Sequence, residues 1–342
     1  MTRASRARKL ATAAVYGGGG VGLAGAALVQ LLREEARRAR RGIESRTAQA
    51  DPPTGEGVYG HYRGAPLVLA VLGDSSAVGL GVQTAAETPG VLVAAALAEL
   101  AERPVRLVKV ARSGGRSTEL AGQVERVLPH SPDIAMVMIG ANDVTSRTKP
   151  AIAVRRLAEA VRTLEAAGCR VVVGTCPDLG TIRPIAQPLR TLARRWSRQL
   201  AAAQTIAVVA EGGRTVSLGS VLGPAFATDR TMFSSDEFHP SAAGYAAAAA
   251  SLLPSIADSL GVWPASADRG LRSLRRDTVR PVAQAAARAA GRTGTEVQAT
   301  EVRGEDAGPR GPWARLRRRR PPEMASPAEV GAVAADGVQV DR

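Results

Sequence analysis

Short apolar runs and longer amphipathic segments alternate along the middle of this chain. The short runs are typical of strands buried inside a parallel sheet, and the longer segments repeat apolar residues at helical spacing. This alternation predicts an α/β fold, a three-layer α/β/α sandwich with a central parallel sheet. The predicted strands are Leu67–Leu72, Val105–Val110, Ile134–Ile139, Arg170–Thr175 and Ile206–Val209, and the predicted helices are Thr88–Glu102, Ser117–Leu128, Ile152–Ala167, Leu189–Ala203 and Ser241–Leu253.

The alternation is confined to residues 63–262, which we expect to form one domain. Residues 51–62 are rich in proline and glycine and are predicted to be a linker. Residues 263–342 are rich in Arg, Ala, Pro and Gly and have no apolar periodicity, which predicts a mostly disordered tail.

An uncharged stretch, residues 10–32, lies within the basic segment 1–50. As a helix, this stretch is long enough to cross a hydrocarbon core of about 30 Å. We therefore expect a single N-terminal membrane anchor, although Gly17–Gly20 lower its hydrophobicity and helix propensity. A cleaved signal peptide is the alternative. Arginines on both flanks leave open which side of the membrane the domain occupies, and an exported form is compatible with the pattern.

The formal net charge of +14 is distributed unevenly. Residues 1–50 carry 10 Lys/Arg against 3 Asp/Glu, residues 51–262 carry 20 against 18, and residues 263–342 carry 15 against 10. The central domain is therefore almost neutral, and nucleic acid is not expected as its partner. The run Arg317–Arg320 could contact anionic lipid headgroups, and a solvated tail without a partner is the alternative.

Cysteine and histidine are both scarce. Cys169 and Cys176 flank a predicted strand, so about 23 Å separate them, too far for a disulfide, and we expect two free buried thiols. The histidines are His61, His130 and His239, and no Cys/His spacing is typical of zinc. The sequence therefore predicts neither a metal nor another cofactor.

A polar motif follows each of the first three predicted strands. Ser75 stands in Gly-Asp-Ser-Ser, Gly114 in Ser-Gly-Gly and Asn142 in Gly-Ala-Asn-Asp. Because parallel strands end at the same edge of a sheet, these motifs are expected to meet there. A serine hydroxyl can attack a carbonyl, and an asparagine amide or a glycine N–H can stabilise the resulting oxyanion. Helix capping and turn formation are the alternative roles for each motif taken alone.

His239 lies in the fourth motif, Asp-Glu-Phe-His-Pro. Asp236 precedes it by three residues, close enough to orient one ring nitrogen while the other faces Ser75. Asp229, Glu237 and Asp178 are lesser candidates for the orienting acid.

In order, spacing and residue type, the four motifs together resemble those of the SGNH/GDSL hydrolases, over residues 66–255. The resemblance implies a flavodoxin-like fold, with Ser75 as nucleophile, His239 as base and Asp236 as its partner. It also implies an oxyanion hole made of the Ser75 and Gly114 N–H groups and the Asn142 side chain. Two positions depart from the family pattern: Ser76 stands where members have leucine, and Lys109 where they often have asparagine.

We therefore predict a carboxylic-ester hydrolase, esterase or lipase in type, that forms an acyl-serine intermediate on a small-molecule or lipid ester. Acyl transfer to another alcohol by the same residues is one alternative. A catalytically silent, membrane-anchored binding module is the other.

Overall fold

The computed structural model describes residues 29–39, 41–43, 54–262 and 296–297. Within these ranges seven strands form one sheet, so the predicted α/β class is confirmed. The strands are β1 (Gly57–Tyr59), β2 (Leu67–Gly73), β3 (Val105–Lys109), β4 (Ile134–Met138), β5 (Arg170–Gly174), β6 (Arg214–Val216) and β7 (Glu296–Val297). The helices are α1 (Ser75–Val78), α2 (Pro89–Ala101), α3 (Leu120–Val127), α4 (Ala141–Thr145), α5 (Pro150–Ala166), α6 (Leu189–Ala210), α7 (Leu218–Val221), α8 (Gly223–Thr228) and α9 (Ala242–Ser259).

The five central strands are parallel and lie in the order β3-β2-β4-β5-β6. This is the flavodoxin-like order, in which the chain winds away in opposite directions from β2 and β4. A crevice opens outside the carboxyl ends of the two strands at such a switch point. The segments carrying Ser75 and Asn142 follow these two strands directly.

Side chains alternate between the two faces of the sheet. Leu69 and Val71 of β2 pack on one face in the cluster that includes α2 and α9, whereas Ala70 and Leu72 pack on the other face with α3 and α5. The strands β2, β4 and β5 are buried on both faces over nearly all their residues, which accounts for their apolar runs. The result is the predicted three-layer sandwich.

The strand predicted at Ile206–Val209 is wrong, because α6 continues to Ala210. Gln204, Thr205, Val208 and Val209 are buried, and this three-to-four-residue spacing continues the buried stripe of the helix. The strand that follows is β6, only three residues long.

Both edges of the sheet extend beyond the predicted domain. The expected linker 51–62 contains β1, which pairs antiparallel with β3. The expected tail contains β7, which pairs antiparallel with β6. The rest of the tail lies outside the described residues, including Arg317–Arg320.

Residues 29–39 and 41–43, here called the N-terminal helical segment, pack against the domain. Among the helices in the described ranges, none combines the length and apolar character needed to span a membrane. Residues 10–28, most of the expected anchor, lie outside those ranges, so the anchor stays a prediction.

Candidate active site

Ser75 is the first residue of α1, directly after the turn that ends β2. The carboxylate of Asp74 caps this helix by accepting the N–H of Ser76 at 2.9 Å, so the capping role foreseen as an alternative belongs to Asp74. The Ser75 side chain is directed elsewhere, with its Oγ 3.0 Å from Nε2 of His239.

Gly73 fixes the turn on which Ser75 stands. Its φ of 135° and the adjacent Met138 carbonyl, with which any Cβ would collide, restrict the position to glycine. The Gly73 N–H donates to Oε1 of Gln123 at 2.7 Å, and Nε2 of Gln123 donates to the Gly73 carbonyl at 2.9 Å. The buried Gln123 therefore holds the turn through both polar groups of Gly73.

His239 and Asp236 lie in a loop that bends back toward Ser75. Nδ1 of His239 is 2.6 Å from Oδ2 of Asp236. Because an ionised carboxylate only accepts hydrogen bonds, Nδ1 carries the proton, and Nε2 can accept the hydroxyl proton of Ser75. The structure thus brings the three predicted side chains into one hydrogen-bonded series, and all three are buried.

The carboxyl group of Asp236 is held in its ionised form. Burial alone would raise its pKa, but hydrogen bonds from the His239 ring and from the N–H groups of His239 and Phe238 together lower the pKa below its ordinary value. Its Oδ1 also accepts the Ser234 hydroxyl at 2.8 Å. Asp236 therefore organises the loop and aligns the imidazole.

The lesser acid candidates have other roles. The Asp178 carboxylate accepts a hydrogen bond from the Arg198 guanidinium at 2.9 Å, and the Asp229 carboxylate accepts one from the Thr231 N–H at 2.8 Å. Glu237 has a left-handed backbone, with a φ of 56°, in the loop between Asp236 and His239. The contact with His239 Nδ1 belongs to Asp236.

Gly114 and Asn142 line one cleft together with Ser75 and His239, here called the catalytic cleft. Gly114 has a left-handed φ of 74°, and a Cβ added there would meet nothing within 4 Å, so its face toward the cleft is open. Asn142 lies in α4, directly after the switch-point strand β4. The structure therefore places Gly114 and Asn142 in the lining of the same cleft as the serine and histidine.

Asp143 connects the two donor segments. Its buried carboxylate accepts both the N–H and the hydroxyl of Ser117, the latter at 2.7 Å. Burial raises the pKa of Asp143, and the hydrogen bonds from Ser117 oppose that effect. This contact ties the segment after Gly114 to the helix that carries Asn142.

Sequence reasoning missed Gln123, Gln204 and Asp143 as positioning residues. Gln204 accepts the Cys176 N–H at 2.8 Å and donates to the Ile139 carbonyl at 3.0 Å, so it joins the ends of β4 and β5. Gln123 lies among Leu120, Val124 and Val127 on the buried stripe of α3. A glutamine at a core position of a helix is the signal that could have identified such a residue.

Two cavities meet at Ser75 and His239. The catalytic cleft, about 1040 Å³, is open and contains polar groups. The second cavity, about 80 Å³ and here called the apolar pocket, lies beyond the ends of β4, β5 and β6. Its walls include Leu179, Ile182, Leu218, Leu222, Phe226 and Phe233.

In the described part of the chain, no group of His, Cys, Asp and Glu side chains is arranged to hold a metal ion. The two cysteines are free and buried, as predicted. Cys176 packs under Gly140, where a Cβ would lie only 2.8 Å from the Cys176 Cβ. The thiols therefore belong to the core and not to the cleft.

Comparison with known proteins identifies the family of this chain. The GDSL-like Lipase/Acylhydrolase family model matches residues 71–247, about half of the chain. A GDSL-like esterase of Mycobacterium tuberculosis is 45% identical over 222 residues, which cover 61% of this chain and 71% of that protein.

Solved structures with similar folds include a lipase from a goat rumen metagenome, 18% identical with a TM-score of 0.43, covering 54% of this chain and 94% of that one. A catalytic mutant of an acetylxylan esterase from Geobacillus stearothermophilus is 18% identical with a TM-score of 0.41, covering 55% of this chain and 93% of that one. The matches to the family model and to the mycobacterial esterase establish that this chain belongs to the GDSL-like lipase/acylhydrolase family of ester hydrolases.

Proposed function

We propose that this protein hydrolyses carboxylic esters through an acyl-serine intermediate, with Ser75 as nucleophile, His239 as general base and Asp236 as its orienting acid. The observation that carries the proposal is the buried series from Asp236 Oδ2 to His239 Nδ1, 2.6 Å, and from His239 Nε2 to Ser75 Oγ, 3.0 Å. Nucleophile, base and orienter within hydrogen-bond reach form the arrangement that acyl transfer requires.

In the first step, Nε2 of His239 takes the Ser75 proton while Oγ forms a bond to the ester carbon. The carbonyl oxygen becomes negative and accepts hydrogen bonds from the N–H groups of Ser75 and Gly114 and from the Asn142 side chain. The imidazolium then gives its proton to the departing alcohol as the carbon–oxygen bond breaks. Water repeats both steps on the acyl-serine and releases the acid.

The acyl group enters the apolar pocket, and the alcohol portion lies in the catalytic cleft. The pocket walls are mostly aliphatic and aromatic, with Asp74 and Asp178 as their two carboxylates, whereas the cleft is more open and its charged side chains are arginines. This contrast supports the assignment. The small volume of the pocket favours short acyl chains.

The test is hydrolysis of 4-nitrophenyl acetate by Ser75→Ala in the presence of EDTA. We expect a loss of at least about 10⁴-fold in kcat, since the nucleophile is removed. Ser251→Ala is the matched control, because the Ser251 hydroxyl only contacts the Ala247 carbonyl within α9, and its activity should be unchanged. Retained turnover in Ser75→Ala would reject the proposal.

Two further experiments address the earlier alternatives. A fluorophosphonate that labels Ser75 in the unmodified protein but not in Ser75→Ala would argue against a silent binding module. Product analysis with added alcohols would distinguish hydrolysis from acyl transfer, since transfer yields a new ester in place of the free acid.

A further inference from the structure

The N-terminal helical segment forms one wall of the catalytic cleft. Arg33, Ala36, Arg37, Ala39 and Ile43 line the cleft together with Ser75 and His239. Arg33 is three residues from Ala36 and four from Arg37, and Ala36 is three from Ala39, which places these residues along one side of the helix. Arg33 and Arg37 are the charged residues that the helix contributes to the cleft lining, and the Arg37 guanidinium also contacts Glu34 at 3.2 Å.

Contacts of Ala39 and Glu35 attach this wall to the domain. Ala39 is 8% exposed and packs in a cluster with Leu179, Ile185 and Ala193. Oε2 of Glu35 accepts the N–H of Leu189, at the start of α6, at 3.3 Å. The arginines are therefore carried by a helix that is docked beside the reacting groups.

The charges along the cleft have one sign. Its charged lining residues are Arg33, Arg37 and Arg147, and within the described ranges no Asp or Glu lines it. On the helix, Glu34 is shared by Arg37, Arg38 and Arg41 at 3.2–3.5 Å, and Glu35 accepts the Leu189 N–H. Two carboxylates against the four arginines Arg33, Arg37, Arg38 and Arg41 leave the described part of the helix positive. A cleft lined by one sign of charge concentrates ligands of the opposite sign.

We propose that the natural substrate is an ester whose alcohol portion carries an anionic group, such as a phosphate, which Arg33 and Arg37 bind. This inference rests on the proposed function and extends it to the alcohol side of the substrate. Guanidinium groups donate paired hydrogen bonds to phosphate or carboxylate oxygens, and the positions i and i+4 allow two of them to bind one anion.

The test compares two acetyl esters, neutral 4-nitrophenyl acetate and anionic 4-acetoxybenzenesulfonate. In Arg33→Gln/Arg37→Gln, kcat/KM for the anionic ester should fall about tenfold, and kcat/KM for the neutral ester should stay within twofold. The preference of the unmodified protein for the anionic ester should also weaken as salt is added. Because each variant meets the same pair of esters, their different leaving groups cancel in the comparison.

Arg38→Gln/Arg41→Gln is the matched control. It removes the same charge from the same helix and also breaks two contacts with Glu34, but neither arginine lines the catalytic cleft. Its ratio of anionic to neutral turnover should equal that of the unmodified protein. Equal ratios in both double variants would overturn the proposal, whereas absence of turnover on both esters by the unmodified protein would instead reject the proposed function.

The anionic group could belong to a free metabolite or to a lipid headgroup. To separate these sources, we would compare the hydrolysis of two substrates. One is soluble acetylglycerol phosphate, and the other is a long-chain lysophosphatidic acid in neutral detergent micelles. The short apolar pocket leads us to expect turnover of the soluble ester. If the protein preferred the lipid and Arg33→Gln/Arg37→Gln lost this activity, the two arginines would still bind the anion, and the anion would belong to a membrane lipid. If the protein hydrolysed neither phosphate ester, the proposal would be overturned.

Discussion

Asn142 offers the most direct measurement at the residue scale, because its proposed hydrogen bond strengthens only as the oxyanion forms. In Asn142→Ala we expect kcat to fall about 100- to 1000-fold with little change in KM. Steady-state kinetics on 4-nitrophenyl acetate measure both parameters. A rise in KM at constant kcat would instead indicate a role in ground-state binding.

The pH profile of kcat/KM should have a single acidic limb. Because hydrogen bonds lower the pKa of Asp236 despite burial, its stabilising contribution is present above the unfolded pKa, about 3.9, and is lost only as the pH falls through the lower folded value. An acidic limb above that range would therefore report the general base and not Asp236, because a base accepts the Ser75 proton only in its unprotonated form. A profile with no acidic limb above that range would argue against a general-base mechanism.

The proposed catalytic residues could be identified from the sequence because each stands in a short motif, and these motifs are unusual in combination. Ser75 and His239 are 164 residues apart, yet the strand pattern predicted that Ser75 would lie at one sheet edge, and the rarity of histidine limited the choice of base. The supporting residue Asp143 was not identified, because its contact with Ser117 depends on how two loops pack.

At the scale of elements, Gln123 couples α3 to the turn after β2. Gln123→Met keeps the side-chain size but leaves the buried N–H and carbonyl of Gly73 without this partner, so we expect unfolding to become easier by about 3 kcal/mol. Esterase activity should also fall, because Ser75 follows that turn. Urea unfolding and kinetics measure the two effects.

Glu125→Met is the control for this helix, since residue 125 is exposed on the opposite side of α3. It should change the free energy of unfolding by less than about 0.5 kcal/mol. If Gln123→Met behaved in the same way, the glutamine would be an ordinary core residue and not a support for the turn.

The elements with a clear period were predicted to within a few residues, and those without one were not. The strands β2 and β4 are apolar throughout, and β3 and β5 are apolar apart from Arg106, Lys109 and Arg170, so their positions followed from the pattern. Ile206–Val209 is also an apolar run, but it is the last part of α6. Its buried residues continue the buried face of the helix that includes Leu200. The edge strands β1 and β7 have three and two residues, too few to show alternation.

At the scale of the whole molecule, the two cysteines should be inert while the protein is folded. Burial raises the pKa of Cys169 to about 12 and raises that of Cys176 well above its ordinary value, so little thiolate forms. We expect no reaction with Ellman's reagent at pH 8, and two thiols per chain after unfolding in guanidinium chloride. Labelling of one thiol in the native protein would show that a core site opens on the time scale of the assay.

The wall provided by the N-terminal helical segment belongs to this scale as well, and the sequence did not predict it. Its basic composition indicated a flank of the expected anchor, whereas its position beside Ser75 depends on packing of Ala39 against residues about 140 to 150 positions later in the chain. Contacts over such separations leave no periodic signal in a single sequence.

The short antiparallel strands at the two ends of the sheet bear on how this protein behaves when concentrated. An exposed sheet margin is a template on which another chain can add strands, and a long, flat margin promotes fibrillar association. In the ranges that the structure describes, each margin offers two or three residues, paired in the direction opposite to their neighbours. We therefore expect variants that lengthen β1 or β7 with valine or isoleucine to precipitate more readily at high concentration, even where their esterase activity is intact.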